Sequence, residues 1–303
     1  MSAPTPLEPA PQIISLGREV WLKREDVHEL GAFKWRGALP TLERYRAEGA
    51  SAVVTASTGN HGAATAWAAQ RLGLDAIVYV QEGASRTKVD RLRQLGADLR
   101  LEGADLDGAK ELGLAHAAER GLPFFEDGAE PAQYDGYAAI ADELLDQLEV
   151  PPAAVVVPVG NGALLGGIGG ALRRRSPETL RVGVVAAAAP VMADSWDAGR
   201  PVTSDRSNTF ADGLAVRVAI PYAVEVLNKV ATHMLRVRER ELAAGVAALA
   251  DAGIRAEGAA AAGPAALPQL PELDGPVVLV VTGRNIDDSL LDRARTSTES
   301  FPA

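Results

Sequence analysis

Short, mostly apolar runs of strand length punctuate the chain at Ala52–Thr55, Ala76–Val80, Asp98–Leu101, Ala154–Val159, Arg181–Val185 and Val277–Val281. Between them, apolar residues recur three and four positions apart, as one buried helix face demands, over His61–Leu72, Arg86–Leu95, Asp107–Arg120, Tyr137–Leu148 and Leu164–Arg173. Strands alternating with helices predict parallel sheets, because two parallel strands need a crossover between them. The expected fold class is α/β. Pro151-Pro152 and Gly128–Asp135 punctuate the pattern. Pro201–Asp212 shows no period and reads as a loop, and the proline-rich Met1–Gln12 reads as an extended arm.

At about 150 residues per domain, 303 residues make two domains or one large one. Hydrophobic residues at 47% and charged residues at 23% supply a core and a solvated surface, which excludes a disordered or fibrous chain. No apolar run reaches the ~20 residues of a membrane-spanning helix, and the N-terminus lacks a secretory pattern, so the expected location is cytoplasmic, with no membrane partner. The absence of cysteine excludes disulfides, thiolate nucleophiles and cysteine-bound metals, and four histidines leave little for a histidine metal site. A net charge of −10 repels phosphate backbones, so no nucleic-acid partner is expected. Arg173-Arg174-Arg175 reads as the basic C-terminal end of a helix.

Four segments carry candidate chemistry. In Gly31-Ala32-Phe33-Lys34-Trp35-Arg36-Gly37-Ala38, a lysine among small and aromatic residues opens a helix; it is either a surface lysine or an amine suited to imine formation. Thr55-Ala56-Ser57-Thr58-Gly59-Asn60-His61-Gly62 follows a strand and opens a helix. Its N–H groups and polar side chains suit a carboxylate or phosphate, while Ser57 or Thr58 as a simple helix cap explains the same residues.

Pro158-Val159-Gly160-Asn161-Gly162-Ala163-Leu164-Leu165-Gly166 is again strand, glycine turn and helix. Gly166 falls one place late for a dinucleotide fingerprint, and Val185–Ala189 offers no acidic residue for a ribose, which removes a nicotinamide dehydrogenase. A backbone phosphate cradle or a plain tight turn remains. In Val281-Thr282-Gly283-Arg284-Asn285-Ile286-Asp287, the Thr282 hydroxyl stands at the carboxyl end of a strand, where open α/β sheets bind ligands; a strand-ending turn capped by Asn285 or Asp287 is the alternative.

Together the order, type and spacing of these segments resemble the fold-type II pyridoxal-phosphate (PLP) enzymes, in particular the serine/threonine dehydratase and serine racemase group. The resemblance runs from about Thr5 to Asp287 and takes in Glu130-Pro131, Ala211-Asp212-Gly213-Leu214-Ala215-Val216 and Glu257-Gly258-Ala259-Ala260. It implies two parallel-sheet, three-layer domains like those of the tryptophan synthase β chain, with PLP in the cleft between them. A large domain of residues 1–48 and 128–303 and a small mobile one of 49–127 are expected, in a homodimer.

The resemblance also implies roles. Lys34 would carry PLP as an imine with Phe33 against the ring, Asn60 would bond the ring hydroxyl, and Gly160, Asn161, Gly162, Ala163 and Leu164 would hold the phosphate. Thr282 would meet the pyridine nitrogen. Ser57, Thr58, Asn60 and His61 would bind the carboxylate of an amino-acid substrate. The implied reaction is an ammonia-lyase β-elimination: Lys34 takes the α-proton, the β-hydroxyl of threonine or serine leaves, and a 2-oxo acid and ammonia result. A racemase, a β-replacement synthase and a non-catalytic PLP-binding homologue are the alternatives; retention of Lys34 argues against the last.

Departures from the family pattern qualify this. Ala32 stands where serine is usual, Asn161 and Ala163 replace glycines, and Arg284 replaces a glycine. Val185 and Val191 stand where racemase-like members carry an acidic metal site, so no metal is expected. Thr58 is either a second acid or a carboxylate binder, and Glu257 either a group orienting the cofactor or a helix-cap acid. Only 16 residues follow Asp287, so no regulatory domain is expected there.

Overall fold

The computed structural model describes residues 3–10, 12–13, 17–205 and 207–303. Met1, Ser2 and Pro11 of the expected arm, and Arg206 of the expected loop, lie outside the described residues. In chain order the strands are β1 (Leu7–Pro9), β2 (Val20–Arg24), β3 (Ala52–Ala56), β4 (Asp75–Val80), β5 (Asp98–Leu101), β6 (Ala154–Pro158), β7 (Leu180–Ala186), β8 (His233–Val237) and β9 (Val277–Val281). The helices are α1 (Trp35–Ala47), α2 (Asn60–Leu72), α3 (Arg86–Gln94), α4 (Leu106–Arg120), α5 (Pro131–Gln147), α6 (Ala163–Arg175), α7 (Val191–Ala198), α8 (Pro221–Val230), α9 (Glu239–Asp251), α10 (Ala262–Ala266) and α11 (Asp288–Thr296).

The chain divides into two compact units, Phe33–Gly136 and Met1–Ala32 with Tyr137–Ala303. The larger is built on a six-stranded sheet of order β1-β2-β9-β6-β7-β8, parallel except where β1 pairs antiparallel with β2. Strands β6 and β9 are buried at every position, which is why Ala154–Pro158 and Val277–Val281 read as continuous apolar runs rather than alternating ones. Val277, Leu279 and Val281 join Ala154, Val156, Val182 and Val184 in one cluster with α9 and α10, since residues two apart share a face.

The smaller unit holds a parallel three-stranded sheet, β3-β4-β5, with an isolated parallel bridge from Val54 to Phe124 beside it. The α1 and α2 helices pack together in this unit.

Two strands escaped the periodicity, for identifiable reasons. In β2 the charged Lys23 interrupts the apolar run, yet its side chain is fully buried. Its ammonium donates to Glu143 Oε2 at 2.7 Å, Thr5 O at 2.8 Å and Gln147 Oε1 at 2.9 Å, so burial of the charge is compensated. The edge strand β8 is partly polar, with His233 exposed. Leu7–Pro9 of the expected arm is extended and completes the sheet edge, whereas Gln12 at its end lies in a turn. Helix α5 begins at Pro131 rather than Tyr137: proline suits a first turn, and Gln133 and Tyr134 are turned inward to bond Gly128. Among the described residues no helix is long and apolar enough to cross a membrane.

Candidate active site

In the smaller unit the chain leaves β3 through Ser57-Thr58-Gly59 and enters α2 at Asn60. Ser57 Oγ accepts from the Gly59 N–H at 3.2 Å, the N-cap is Gly59, and no side chain caps the helix. The polar residues of this turn are therefore not consumed by capping, and the first N–H groups of α2 keep the positive potential that suits a carboxylate. Ser57, Thr58 and Asn60 are half-buried. Gly62 is required sterically, because a β-carbon there would stand 2.5 Å from Ser57 O.

His61 is buried against the Phe125 ring, with centroids 4.5 Å apart. Its Nε2 lies 3.1 Å from Thr55 Oγ1 and 3.2 Å from Phe125 O. The carbonyl only accepts, and Thr55 gives its own proton to that carbonyl, so Nε2 carries the hydrogen. Burial holds the imidazole below its usual range, with Asp127 opposing and Lys34 reinforcing that shift. Nδ1 is left facing Asp127 Oδ1 at 3.6 Å.

Lys34 stands at the N-cap of α1, half-buried, with Nζ 5.0 Å from the Phe33 ring centroid. Its ammonium is ion-paired with Asp127 Oδ2, and Asp127 Oδ1 accepts from Gln133 Nε2 at 2.6 Å. Neither Asp127 nor Gln133 belongs to a recognisable motif. The available sign was the apolar Pro123-Phe124-Phe125 just before Asp127: the bridge from Phe124 to Val54 makes that run an extra sheet position. Asp127 thereby emerges at the same sheet end as the β3–α2 turn.

In the larger unit, Gly160–Gly162 link β6 to α6. A β-carbon on Gly160 would overlap the Gly213 carbonyl oxygen, and Gly162 adopts a φ of 98° that favours glycine. Gly162 caps α6 without a side-chain bond, so the turn and first helical residues form an uncapped cradle of N–H groups. Asn161 and Ala163 occupy this turn without removing either critical glycine.

Thr282 directly follows β9. It is 2% exposed, and its Oγ1 is buried without a hydrogen-bond partner, a cost of about 1–3 kcal/mol unless a ligand supplies one. The Glu257 carboxylate lies against Gly283, where a β-carbon would stand 2.6 Å from its Oε1, and the Glu257 N–H donates to Gly283 O at 3.0 Å. Arg284 turns towards the chain before Lys34: its N–H donates to Gly31 O at 2.9 Å and its guanidinium to His28 O at 3.3 Å. Among the described residues there is no group of three or more His, Cys, Asp or Glu side chains able to hold a metal ion.

In the larger unit, an uncapped anion cradle and an orphan buried hydroxyl at a strand end suit a phosphorylated, hydrogen-bonding ligand; in the smaller unit, a lysine beside an aromatic ring suits an aldehyde held covalently. Comparison with known proteins agrees. Residues 2–283 match the family described as pyridoxal-phosphate dependent enzyme. The L-threonine ammonia-lyase of Thermotoga maritima is 35% identical over 283 residues, covering 91% of this chain and 70% of that protein. The processed form of threonine deaminase isoform 2 from Solanum lycopersicum superposes with a TM-score of 0.92 at 29% identity, covering 98% of this chain and 88% of that one. A second solved threonine deaminase, from T.th., gives 0.86 at 30% identity, with 94% of each chain covered. The chain thus belongs to the pyridoxal-phosphate dependent enzymes of fold type II, within the serine/threonine dehydratase group.

Proposed function

We propose that the protein is a PLP-dependent ammonia-lyase that removes water from an L-β-hydroxy amino acid, threonine or serine, to give a 2-oxo acid and ammonia, and that it works as a cytoplasmic homodimer. The observation that carries the reading is Lys34, half-buried beside Phe33 at the start of α1, in a chain whose relatives include an L-threonine ammonia-lyase.

The residues proposed to hold the cofactor are Phe33, Lys34, Asn60, Gly160–Leu164 and Thr282. When bound, PLP withdraws electrons from the substrate α-carbon and so lowers the cost of removing its proton. Lys34 Nζ would hold the cofactor covalently and, as the free amine, would take that proton. The N–H groups opening α6 would hold the phosphate, and the Thr282 hydroxyl, buried without a partner, would donate to the ring nitrogen. A neutral hydroxyl there would not stabilise a protonated ring nitrogen, which would favour prompt loss of the β-hydroxyl. Ser57, Thr58 and the N–H groups opening α2 orient the substrate carboxylate. His61 contributes through its backbone, because its ring is engaged with Thr55 and Phe125.

The test is 2-oxo acid release from L- and D-serine, threonine, 3-hydroxyaspartate and phenylserine. Turnover of L-threonine or L-serine that disappears in Lys34→Ala is the expected result. Cofactor absorbance that shifts with amino acid while no oxo acid forms would overturn elimination and transfer the assignment to racemisation or β-replacement, with Thr58 the next residue to change.

A further inference from the structure

Within the 33–136 unit the Lys34 amine is met by an aimed carboxylate. Asp127 Oδ2 pairs with Lys34 Nζ, while Oδ1 accepts from Gln133 Nε2 at 2.6 Å. Gln133 is 1% exposed, and its amide has one orientation, because its Oε1 accepts from the Gly128 N–H at 2.8 Å. A buried, fixed donor thus sets where the two carboxylate oxygens point. His61 faces Oδ1 at 3.6 Å with its ring held neutral by burial, and Glu126, next in sequence, is paired with Lys110. Lys34 is a cation that Asp127 holds directly.

The helix explains why a counter-ion matters. Lys34 sits at the N-terminus of α1, where the aligned peptide dipoles create positive potential that opposes a second positive charge. A neutral amine is indifferent to that potential; an ammonium is not. A base at this position must become an ammonium once per turnover, so a negative charge has to be close by.

We propose that Asp127 is the positioning residue for Lys34: it receives the amine whenever Nζ is not bonded to the cofactor and holds it as the ammonium formed on taking the substrate's α-proton. This rests on the reading of Lys34 as the cofactor-bearing base. The transfer balances simply. The neutral amine uses its lone pair to bind one proton, the electron pair of the C–H bond stays with carbon, and the charge gained on Nζ is matched by Asp127, which takes no proton itself.

The test measures the amine directly. Asp127→Asn keeps an oxygen for the Gln133 amide but removes the charge. In the full-length chain stripped of PLP, acylation by a limiting anhydride is followed by peptide mass spectrometry, with the exposed Lys229 as internal reference. An ion-paired ammonium is a poor nucleophile, so Asp127→Asn is expected to raise Lys34 labelling about tenfold, the equivalent of one charge-assisted hydrogen bond. Gln133→Met, which leaves the carboxylate but not its aim, gives a smaller rise. In the PLP-loaded enzyme, kcat for Asp127→Asn falls about ten- to a hundredfold with KM within about twofold, as for an interaction made after substrate binds. Lys34 labelling at the wild-type rate in Asp127→Asn overturns the proposal even if turnover falls, because Asp127 would then act on substrate or fold. Separately, labelling of Lys34 that PLP does not block in the wild-type chain overturns the functional reading and leaves the Asp127 comparison standing.

Discussion

A single hydroxyl illustrates how chemistry at the residue scale can be separated from stability. Thr282 Oγ1 is buried at the end of β9 without a partner. In the absence of cofactor it is a net cost, and valine is nearly its isostere. Thr282→Val should therefore leave the stripped protein as stable as wild type, or more stable by about 1–3 kcal/mol, while weakening PLP binding about tenfold through loss of one hydrogen bond. Urea unfolding without cofactor and PLP titration by absorbance read the two effects independently. A threonine with a purely structural role would give the reverse, a loss of stability with no change in binding. Asp127 and Gln133 belong to the same scale. Each is ordinary in sequence, and together they direct one carboxylate at one amine.

At the scale of elements, the turn from β6 to α6 depends on backbone space. Gly160 lies so close to the Gly213 carbonyl that one methyl group has no room, and Gly162 needs its positive φ. Gly160→Ala must push the two segments apart, with an expected destabilisation of about 1–3 kcal/mol from overpacking. It should also weaken the hold on inorganic phosphate and on PLP, because the N–H groups opening α6 move with the turn. Thermal melts and phosphate titration check both consequences. The loop before Lys34 is tied comparably: Ala32 bridges to Gly283, and Asn285 Nδ2 donates to Leu30 O at 2.9 Å. Arg284, where the family carries glycine, adds bonds to this loop rather than opening it.

For the whole molecule, cofactor binding and folding are linked, because a ligand that binds only the folded chain stabilises it by mass action. At a hundredfold excess over its dissociation constant PLP should add about 2.7 kcal/mol to the unfolding free energy, seen as a rise in Tm. In Lys34→Ala most of that rise should vanish, since only the non-covalent contacts of the phosphate cradle and Thr282 would remain. A Tm shift of wild-type size in Lys34→Ala would show that the lysine contributes little to holding the cofactor.

The α/β class was legible because β6 and β9 are buried on both faces and carry unbroken apolar runs, and because helices α2, α3, α4 and α6 repeat at helical spacing. The glycine turns and the Phe33-Lys34 pair were legible for a local reason: a tight turn or a lysine beside an aromatic is encoded in adjacent residues. Strand β2 was not, because whether Lys23 interrupts a strand or lies buried within it depends on Glu143, which is 120 positions away. Asp127 was hidden for the same reason. Its pairing with Lys34 spans 93 positions and arises only when Phe124 bridges to Val54 in the sheet. Local sequence determined the elements and the motifs that open their helices. Tertiary structure alone decided which buried charge meets which, because the cost of burying a charge is settled by its partner, and the partner is supplied by the fold.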